Sequence, residues 1–220
     1  MVIVVCGLKG GVGKSLVAAL LSFEYEKSGK KTLLIDTDIQ GSLLNLADIA
    51  RERAKEKQGK LFDFIPDIKY LAEITDLYKK LSEIKNKYKI VIIDTPPSNN
   101  VVLKSSIVSA DLIIIPCLQG FSDVWALSNI VNLIKKAKEV SQFKAYFLLN
   151  KLDLRNTLSR DFRETLNLTS IPIFQSSLGN RVAFVEAFGS ARPITSYAGK
   201  TKASQEMRAL LEEIQAIMKI

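Results

Sequence analysis

The chain has 220 residues and a mass of 24.4 kDa, with 47% hydrophobic and 25% charged residues, which is typical of one globular domain with little disorder. It contains no histidine and two cysteines, so catalytic triads that depend on histidine and most structural zinc sites are excluded. The net charge of +8 divides equally between the two halves of the chain. A basic tail is therefore excluded, and a surface that binds anions has to be assembled by folding.

Short apolar runs rich in β-branched residues alternate with longer amphipathic segments along the whole chain. The runs do not alternate polar and apolar residues, which predicts strands buried on both faces. They are Val2–Cys6, Thr32–Ile35, Ile90–Ile93, Leu112–Ile115, Ala145–Leu149 and Ile171–Phe174. The spacing of Val124, Leu127, Val131 and Ile134 fits one face of a helix between two of these strands. This order predicts an α/β fold over residues 1–220: a single doubly wound, mostly parallel sheet with helices on both faces.

Several features of the sequence have a plain structural interpretation. Residues 51–60 and 79–89 are rich in lysine and arginine, and we interpret them as solvated helix faces or loops. Cys6 and Cys117 lie inside apolar runs, which predicts buried thiols rather than a disulfide. The first residues lack the basic region and cleavage site of a signal peptide, and the longest apolar run is too short to span a bilayer. We therefore expect a cytoplasmic protein.

The sharpest motif is Lys9-Gly10-Gly11-Val12-Gly13-Lys14-Ser15, which follows the first predicted strand and precedes a helix over Leu16–Phe23. Its glycines allow a tight turn in which successive N–H groups point into one concavity, next to the positive end of the helix dipole. This arrangement predicts a loop that binds phosphate, with Lys14 on the β- and γ-phosphates and the Ser15 hydroxyl on Mg²⁺. Leu8 stands where the standard P-loop has glycine, and Lys9 adds a second cation that favours a triphosphate.

The loop resembles that of the ParA/MinD family of P-loop ATPases, and the likeness extends over nearly the whole chain. Asp36-Thr37-Asp38-Ile39-Gln40-Gly41 is similar to the family's switch I, with Ile39 in place of the usual proline. Asp94-Thr95-Pro96-Pro97 resembles its Walker B motif and switch II. The resemblance implies the P-loop NTPase fold, an ATP-dependent homodimer, and weak ATP hydrolysis that needs Mg²⁺ and is stimulated by a ParB-like adaptor protein.

The same resemblance implies roles for individual residues. Lys9 would reach the phosphates of the partner subunit, Lys14 would bind those of its own, and Asp38 would orient the attacking water, so these three form the catalytic set. Ser15, Asp38 and Asp94 form the expected metal site. The expected nucleotide-binding residues are Lys9, Gly10, Gly11, Val12, Gly13, Lys14, Ser15, Leu16 and Asn150.

The identity of the base stays open between two alternatives. Asn150-Lys151-Leu152-Asp153 spells N-K-x-D, the motif with which GTPases read guanine. GTPases pair it with a glycine in switch II where this chain has Pro97, and they lack a lysine equivalent to Lys9. We therefore favour ATP over GTP, with Asn150 near the base and the loop containing Gln175 and Ser176 as its other wall.

Within the family, the short ParA-type partition ATPases are the most similar, because the chain begins at the first strand with no helix-turn-helix before it. MinD-like proteins end in a basic amphipathic helix that binds lipid. Residues 210–220 carry two acids and one base, and the stripe Leu210, Ile214, Ile217 and Met218 predicts packing against the sheet, so we expect no membrane binding. Two alternatives remain open: a MinD-like positioning ATPase, and a regulatory or metabolic P-loop enzyme.

Partition ATPases of this kind bind DNA without sequence preference, and the resemblance implies the same for this chain, with a nucleoid-associated location. The net positive charge agrees with a polyanion partner. The candidate phosphate contacts are Arg155, Arg160, Arg163, Arg181, Lys200, Lys202 and Arg208.

Overall fold

The computed structural model of the chain describes residues 1–38, 41, 43–56, 65–71, 77–98, 100–119, 124–153 and 158–219. These residues form a sheet of six strands in the order β3-β2-β4-β1-β5-β6, and every neighbouring pair is parallel. The strands are β1 (Val2–Val5), β2 (Thr32–Asp36), β3 (Asp67–Tyr70), β4 (Ile90–Asp94), β5 (Leu112–Cys117) and β6 (Lys144–Leu149). The predicted doubly wound α/β fold is confirmed.

Helices cover both faces of this sheet and bury its apolar side chains in two clusters. On one face the core includes residues of α1, α7, α8 and α9, and on the other it includes residues of α3, α4, α5 and α6. The helices are α1 (Lys14–Lys27), α2 (Leu44–Glu56), α3 (Leu77–Lys85), α4 (Val101–Val108), α5 (Val124–Lys138), α6 (Leu158–Asn167), α7 (Val182–Gly189), α8 (Ile194–Tyr197) and α9 (Lys202–Met218). Strands β1, β4 and β5 are buried along their whole length because both faces are covered.

Five of the six predicted strands are present, and the sixth prediction, Ile171–Phe174, is wrong. This segment makes a single parallel bridge between Ile173 and Phe147, in which Phe147 N–H donates to the Pro172 carbonyl and Phe174 N–H donates to the Phe147 carbonyl. Pro172 has no N–H to extend a ladder. Conversely, β3 was not predicted, because its sequence Asp-Ile-Lys-Tyr is short and polar, as an edge strand can be.

Two of the plainer interpretations of the sequence, the buried thiols and the packed stripe of α9, are confirmed within the described residues. Cys6 and Cys117 are buried free thiols. Leu210 and Ile214 of α9 are buried in the core, with Ile217 and Met218 packed against it. The charged segments belong largely to the ends of α2 and α3, while residues 57–60 lie outside the described part. The assignment of residues 1–220 to one domain stays a prediction.

The chain connections leave a crevice at the carboxyl ends of β1 and β4, which are neighbours in the sheet. The loop after β1 leads to α1 on one face, whereas the loop after β4 leads to α4 on the other. Doubly wound parallel sheets bind ligands at such a point, where the connections from two neighbouring strands lead to opposite faces of the sheet. Among the residues that the structure describes, no helix combines the length and apolar character needed to cross a bilayer.

Candidate nucleotide site

The glycine-rich loop wraps the amino end of α1. Gly11 and Gly13 have positive φ angles of 75° and 90°, which residues other than glycine rarely adopt. A Cβ added at Gly10 or Gly11 would meet nothing within 4 Å, so this part of the loop faces open space. Gly13 caps α1, whose first turn contains no acidic residue, and the N–H groups of that turn are therefore suited to an anion.

The side chain of Lys14 lies inside this loop. It is buried, and its Nζ donates to the Lys9 carbonyl at 3.1 Å. Burial lowers the pKa of Lys14, and the carboxylates of Asp94 and Asp38 act in the opposite direction. An ammonium group held under the loop, near two carboxylates, is positioned to bind a phosphate without much loss of side-chain entropy.

Asp94 ends β4 in the crevice beside the loop. Its carboxylate is buried, and neither oxygen has a hydrogen-bond partner of normal geometry within the described part of the chain. Burial raises its pKa to about 7, and the nearby Ser15 hydroxyl and Lys14 ammonium moderate the shift. A carboxylate that is buried with so little hydrogen bonding is costly unless a ligand completes the site. These oxygen donors fit Mg²⁺, which prefers hard ligands and is commonly held by one or two side chains together with phosphates.

Asp36 organises the segment that resembles switch I. Its carboxylate is buried, with one oxygen accepting from Asp38 N–H at 2.9 Å and the other from Leu43 N–H at 3.0 Å. Desolvation raises the pKa of Asp36 despite these two bonds. Thr37 fixes the same segment to β4, because both its N–H and its hydroxyl donate to the Asp94 carbonyl. Asp36 is therefore a structural acceptor, while the half-buried Asp38 lies beside the charges of the site. Ile39 and Gln40 lie outside the described residues.

Two residues of the N-K-x-D motif contact the phosphate loop directly. Asn150 is buried, and its Nδ2 donates to the Val12 carbonyl at 2.8 Å. Lys151 has a positive φ of 52° and donates from Nζ to the Gly11 carbonyl at 3.1 Å. The structure thus brings Asn150 to the predicted loop. Lys151 was missed as a contact, although the motif was recognised, because its reach to the loop depends on the fold.

The segment after residue 174 is held by carboxylates of α9. Glu213 accepts from Gln175 N–H at 2.7 Å and from Ser176 N–H at 2.8 Å. Further along, Glu206 accepts from Gly179 N–H at 3.0 Å. Sequence reasoning missed both glutamates, which lie more than 25 residues from their partners along the chain.

The basic residues predicted to contact DNA differ in their hydrogen bonds, ion pairs and exposure. The Arg181 guanidinium forms an ion pair with Glu206, with Nη2 and Oε1 2.6 Å apart. Arg208 donates to the Gly199 carbonyl at 3.3 Å and Arg163 to the Phe174 carbonyl at 3.5 Å. Lys200 and Lys202 are exposed at the start of α9. Arg155 and the side chain of Arg160 lie outside the described part, and contact of this set with DNA stays a prediction.

Comparison with known proteins identifies the family. Residues 3–194 match the CobQ/CobB/MinD/ParA nucleotide binding domain. The chain belongs to this family. The maintenance of carboxysome distribution protein A of Halothiobacillus neapolitanus is 24% identical over 213 residues, covering 96% of this chain and 94% of that protein. The chromosome-partitioning ATPase Soj of Treponema pallidum is 26% identical, covering 94% of each chain.

A solved structure of the family has the same fold. The septum site-determining protein MinD of Pyrococcus horikoshii, determined with Mg-ADP, superposes with a TM-score of 0.75 at 19% identity over 98% of this chain and 96% of that chain. The predicted membership of the ParA/MinD family is thus confirmed. The chain is a ParA/MinD-type nucleotide-binding ATPase of the partition or positioning kind. Nucleotide and magnesium use is a property of this family.

Proposed function

We propose that this ParA/MinD-family chain is a partition ATPase: it dimerises when it binds ATP and Mg²⁺, holds DNA without sequence preference, and releases it after hydrolysis. The observation that carries the proposal is the pair of lysines in one loop. Lys14 is buried and donates to the loop from within, whereas Lys9 is partly exposed. One cation is thus suited to the phosphates of its own subunit, and the other to those of a second subunit.

Phosphoryl transfer from ATP requires positioning of the reactants and neutralisation of charge rather than a covalent nucleophile. Gly10 to Gly13 would present N–H groups to the phosphates, and the Lys14 ammonium would bind their oxygens. The Ser15 hydroxyl would hold Mg²⁺ directly and Asp94 would hold it through water. When bound, Mg²⁺ neutralises charge on the β- and γ-phosphates. Asp38, kept in place by the bond from its N–H to Asp36, would orient the attacking water.

Two sequence relatives that the chain matches along nearly its full length favour a role in partition. One of these maintains the distribution of carboxysomes and the other partitions chromosomes, according to their names. The cargo of this chain would accordingly be a plasmid, a chromosome or a protein assembly, linked through a ParB-like adaptor. A MinD-like ATPase would instead bind anionic lipid, and a metabolic enzyme of the family would act on a small substrate and would not bind DNA.

The two lysines provide the first test. Lys14→Ala should abolish nucleotide binding, because it removes the ammonium held under the loop. Lys9→Ala should retain ATP binding by the monomer yet prevent ATP-dependent dimerisation and hydrolysis. Equilibrium binding of labelled ATP, with GTP in parallel, and sedimentation with and without ATP measure these effects.

A charge-retaining variant and a GTP titration distinguish an error in the roles of the lysines from an error in the choice of base. Lys9→Arg keeps the charge and should dimerise better than Lys9→Ala. A Lys9→Ala protein that still dimerises with ATP would refute the assignment of the two lysines. GTP binding as tight as ATP binding would refute the choice of base, and would favour a guanine-reading role for the N-K-x-D motif.

A further inference from the structure

Five lysines form a basic edge on the side of the sheet opposite the phosphate loop. They belong to the loop between α1 and β2, to the last residue of α3 and to the loop between α3 and β4. We call this set the lysine rim: Lys30, Lys31, Lys85, Lys87 and Lys89. Lys30 is partly exposed and the other four are exposed. No role at the nucleotide site accounts for these residues, since they precede the amino ends of the strands.

Backbone hydrogen bonds fix the rim as one continuous surface. Lys89 N–H donates to the Lys31 carbonyl at 2.9 Å, and the amino group of Met1 donates to the Lys89 carbonyl at 2.8 Å. These residues come from neighbouring strand positions, which are about 4.8 Å apart in a sheet. The three therefore span about 10 Å, over which duplex DNA presents about six phosphate charges.

The carboxylates at this edge are engaged elsewhere. Glu26 accepts from Thr32 N–H at 2.7 Å, and Asp111 accepts from Val2 N–H at 2.6 Å. Asp67 accepts from the Tyr88 hydroxyl at 2.5 Å. Within the part of the chain that the structure describes, no carboxylate forms an ion pair with a lysine of the rim. Glu26 still interacts electrostatically with Lys31, but the five lysines outnumber these three carboxylates, so the edge keeps a net positive charge.

Helix stabilisation explains only part of this charge. Lysine in the last turn of a helix interacts favourably with the helix dipole, and Lys85 occupies that position in α3. The other four rim lysines lie beyond the last turns of α1 and α3. Their side chains also lack the exposed apolar neighbours of a membrane surface: the described large apolar residues that are exposed all lie outside residues 26–32 and 84–91.

We propose that the lysine rim is the surface that contacts the DNA backbone, an inference that rests on the proposed function. The rim fits a rigid polyanion because its lysines are arranged along one edge and form no ion pair within the described residues. The ammonium groups of Lys30 and Lys31 lie over the rings of Tyr25 and Tyr88, so the lysines of the loop between α3 and β4 carry the charge that is most available to DNA. Arg181, by contrast, is neutralised by Glu206. In a dimer joined at its nucleotide sites, the two rims would face away from each other and would contact separate DNA segments, which increases the avidity for dense DNA.

The test compares two triple variants with the same loss of charge. One is Lys85→Gln, Lys87→Gln, Lys89→Gln in the rim, and the other is Lys200→Gln, Lys202→Gln, Arg208→Gln near the start of α9. Affinity for duplex DNA of unrelated sequences is measured with ATP and Mg²⁺ over a range of salt concentrations. The rim variant should reduce the slope of log K against log salt by about 2.7, because each lost phosphate contact removes about 0.9.

The second triple variant should keep the slope of the wild type. The rim lies beyond the amino end of β1, whose four residues separate it from the phosphate loop by about 13 Å, so ATP binding should be unchanged in the rim variant and shows that it is folded. A wild-type slope in the rim variant overturns the inference while leaving the proposed function intact. A wild type that binds no DNA overturns both, and binding to vesicles of phosphatidylcholine and phosphatidylserine instead of DNA would assign the rim to a membrane.

Discussion

The two edges of the same sheet hold their charged groups in opposite environments. At the carboxyl edge, Asp36, Asp94 and Lys14 are buried, and burial shifts the pKa of each toward the uncharged form. At the amino edge, the lysine rim is largely exposed and its neighbouring carboxylates bind backbone or hydroxyl groups. The carboxyl edge thus contains a few positioned groups, whereas the amino edge presents the combined charge of several lysines.

This difference indicates how each edge can act. A desolvated group interacts strongly over a short distance, and perturbed pKa values mark sites where single side chains bind or react. Exposed charges are screened beyond about 8 Å at physiological salt, so they recognise a polyanion collectively and without regard to its sequence. Single substitutions should therefore be severe at the carboxyl edge and mild at the amino edge.

Two glycines, one at each edge, give the largest expected contrast. Gly13 and Gly29 both have positive φ angles, 90° and 79°. A Cβ at Gly13 would lie 2.3 Å from Asn150 Nδ2, whereas one at Gly29 would meet nothing within 4 Å. Gly29→Ala should cost about 1 kcal/mol of unfolding free energy for the backbone strain alone. Gly13→Ala should cost about 3 kcal/mol or more, because it also displaces the Asn150 hydrogen bond, and it should abolish ATP binding.

Urea unfolding and ATP titration of the two alanine variants measure this contrast. Gly29→Ala serves as the control for backbone strain without a steric clash. Equal losses of stability, or normal ATP binding by Gly13→Ala, would contradict the close contact between the loop and Asn150.

The two aspartates of switch I give the next largest effect. Asp38→Ala should leave ATP binding intact, since the phosphate loop is unchanged, and should reduce hydrolysis by about 10² or more, the scale for loss of a positioned base. DNA should then stay bound after the wild type has released it. Asp36→Asn should instead destabilise the fold by about 1–3 kcal/mol, because a buried N–H of Asp38 or Leu43 loses its acceptor.

Turnover, DNA residence time and urea unfolding are measured on the same preparations. If Asp38→Ala hydrolyses ATP at the normal rate, or loses nucleotide binding outright, the assignment of Asp38 fails. Asp36 would then be the better candidate for orienting the water.

The residues that the sequence singles out at the carboxyl edge lie together in the structure, and the loop among them is a local motif. Seven consecutive residues, 9–15, contain the glycines, cations and hydroxyl of the loop, and the strands around it are continuous apolar runs. The amino edge depends on contacts between distant segments: Lys31 and Lys89 are joined by a backbone bond across 58 residues. Each lysine segment by itself is indistinguishable from a solvated loop. The bond from Lys151 to Gly11 spans 140 residues and was missed for the same reason.

The smallest expected effects come from single substitutions of Arg181, which stabilises the fold, and of Lys87, which is proposed to contact DNA. Arg181→Gln and Lys87→Gln each remove one positive charge. Arg181 is paired with Glu206, and their side chains are 28% and 20% exposed, so its loss should cost about 0.5–1 kcal/mol of stability and leave the salt slope of DNA binding unchanged. Lys87→Gln should keep its stability within about 0.5 kcal/mol and lower the slope by about 0.9.

Urea unfolding and DNA titration distinguish the Arg181 variant from the Lys87 variant, and Glu206→Gln should reproduce the stability loss of Arg181→Gln. The reverse pattern, with the slope lost in Arg181→Gln and kept in Lys87→Gln, would move the DNA contact from the amino edge of the sheet to the start of α7.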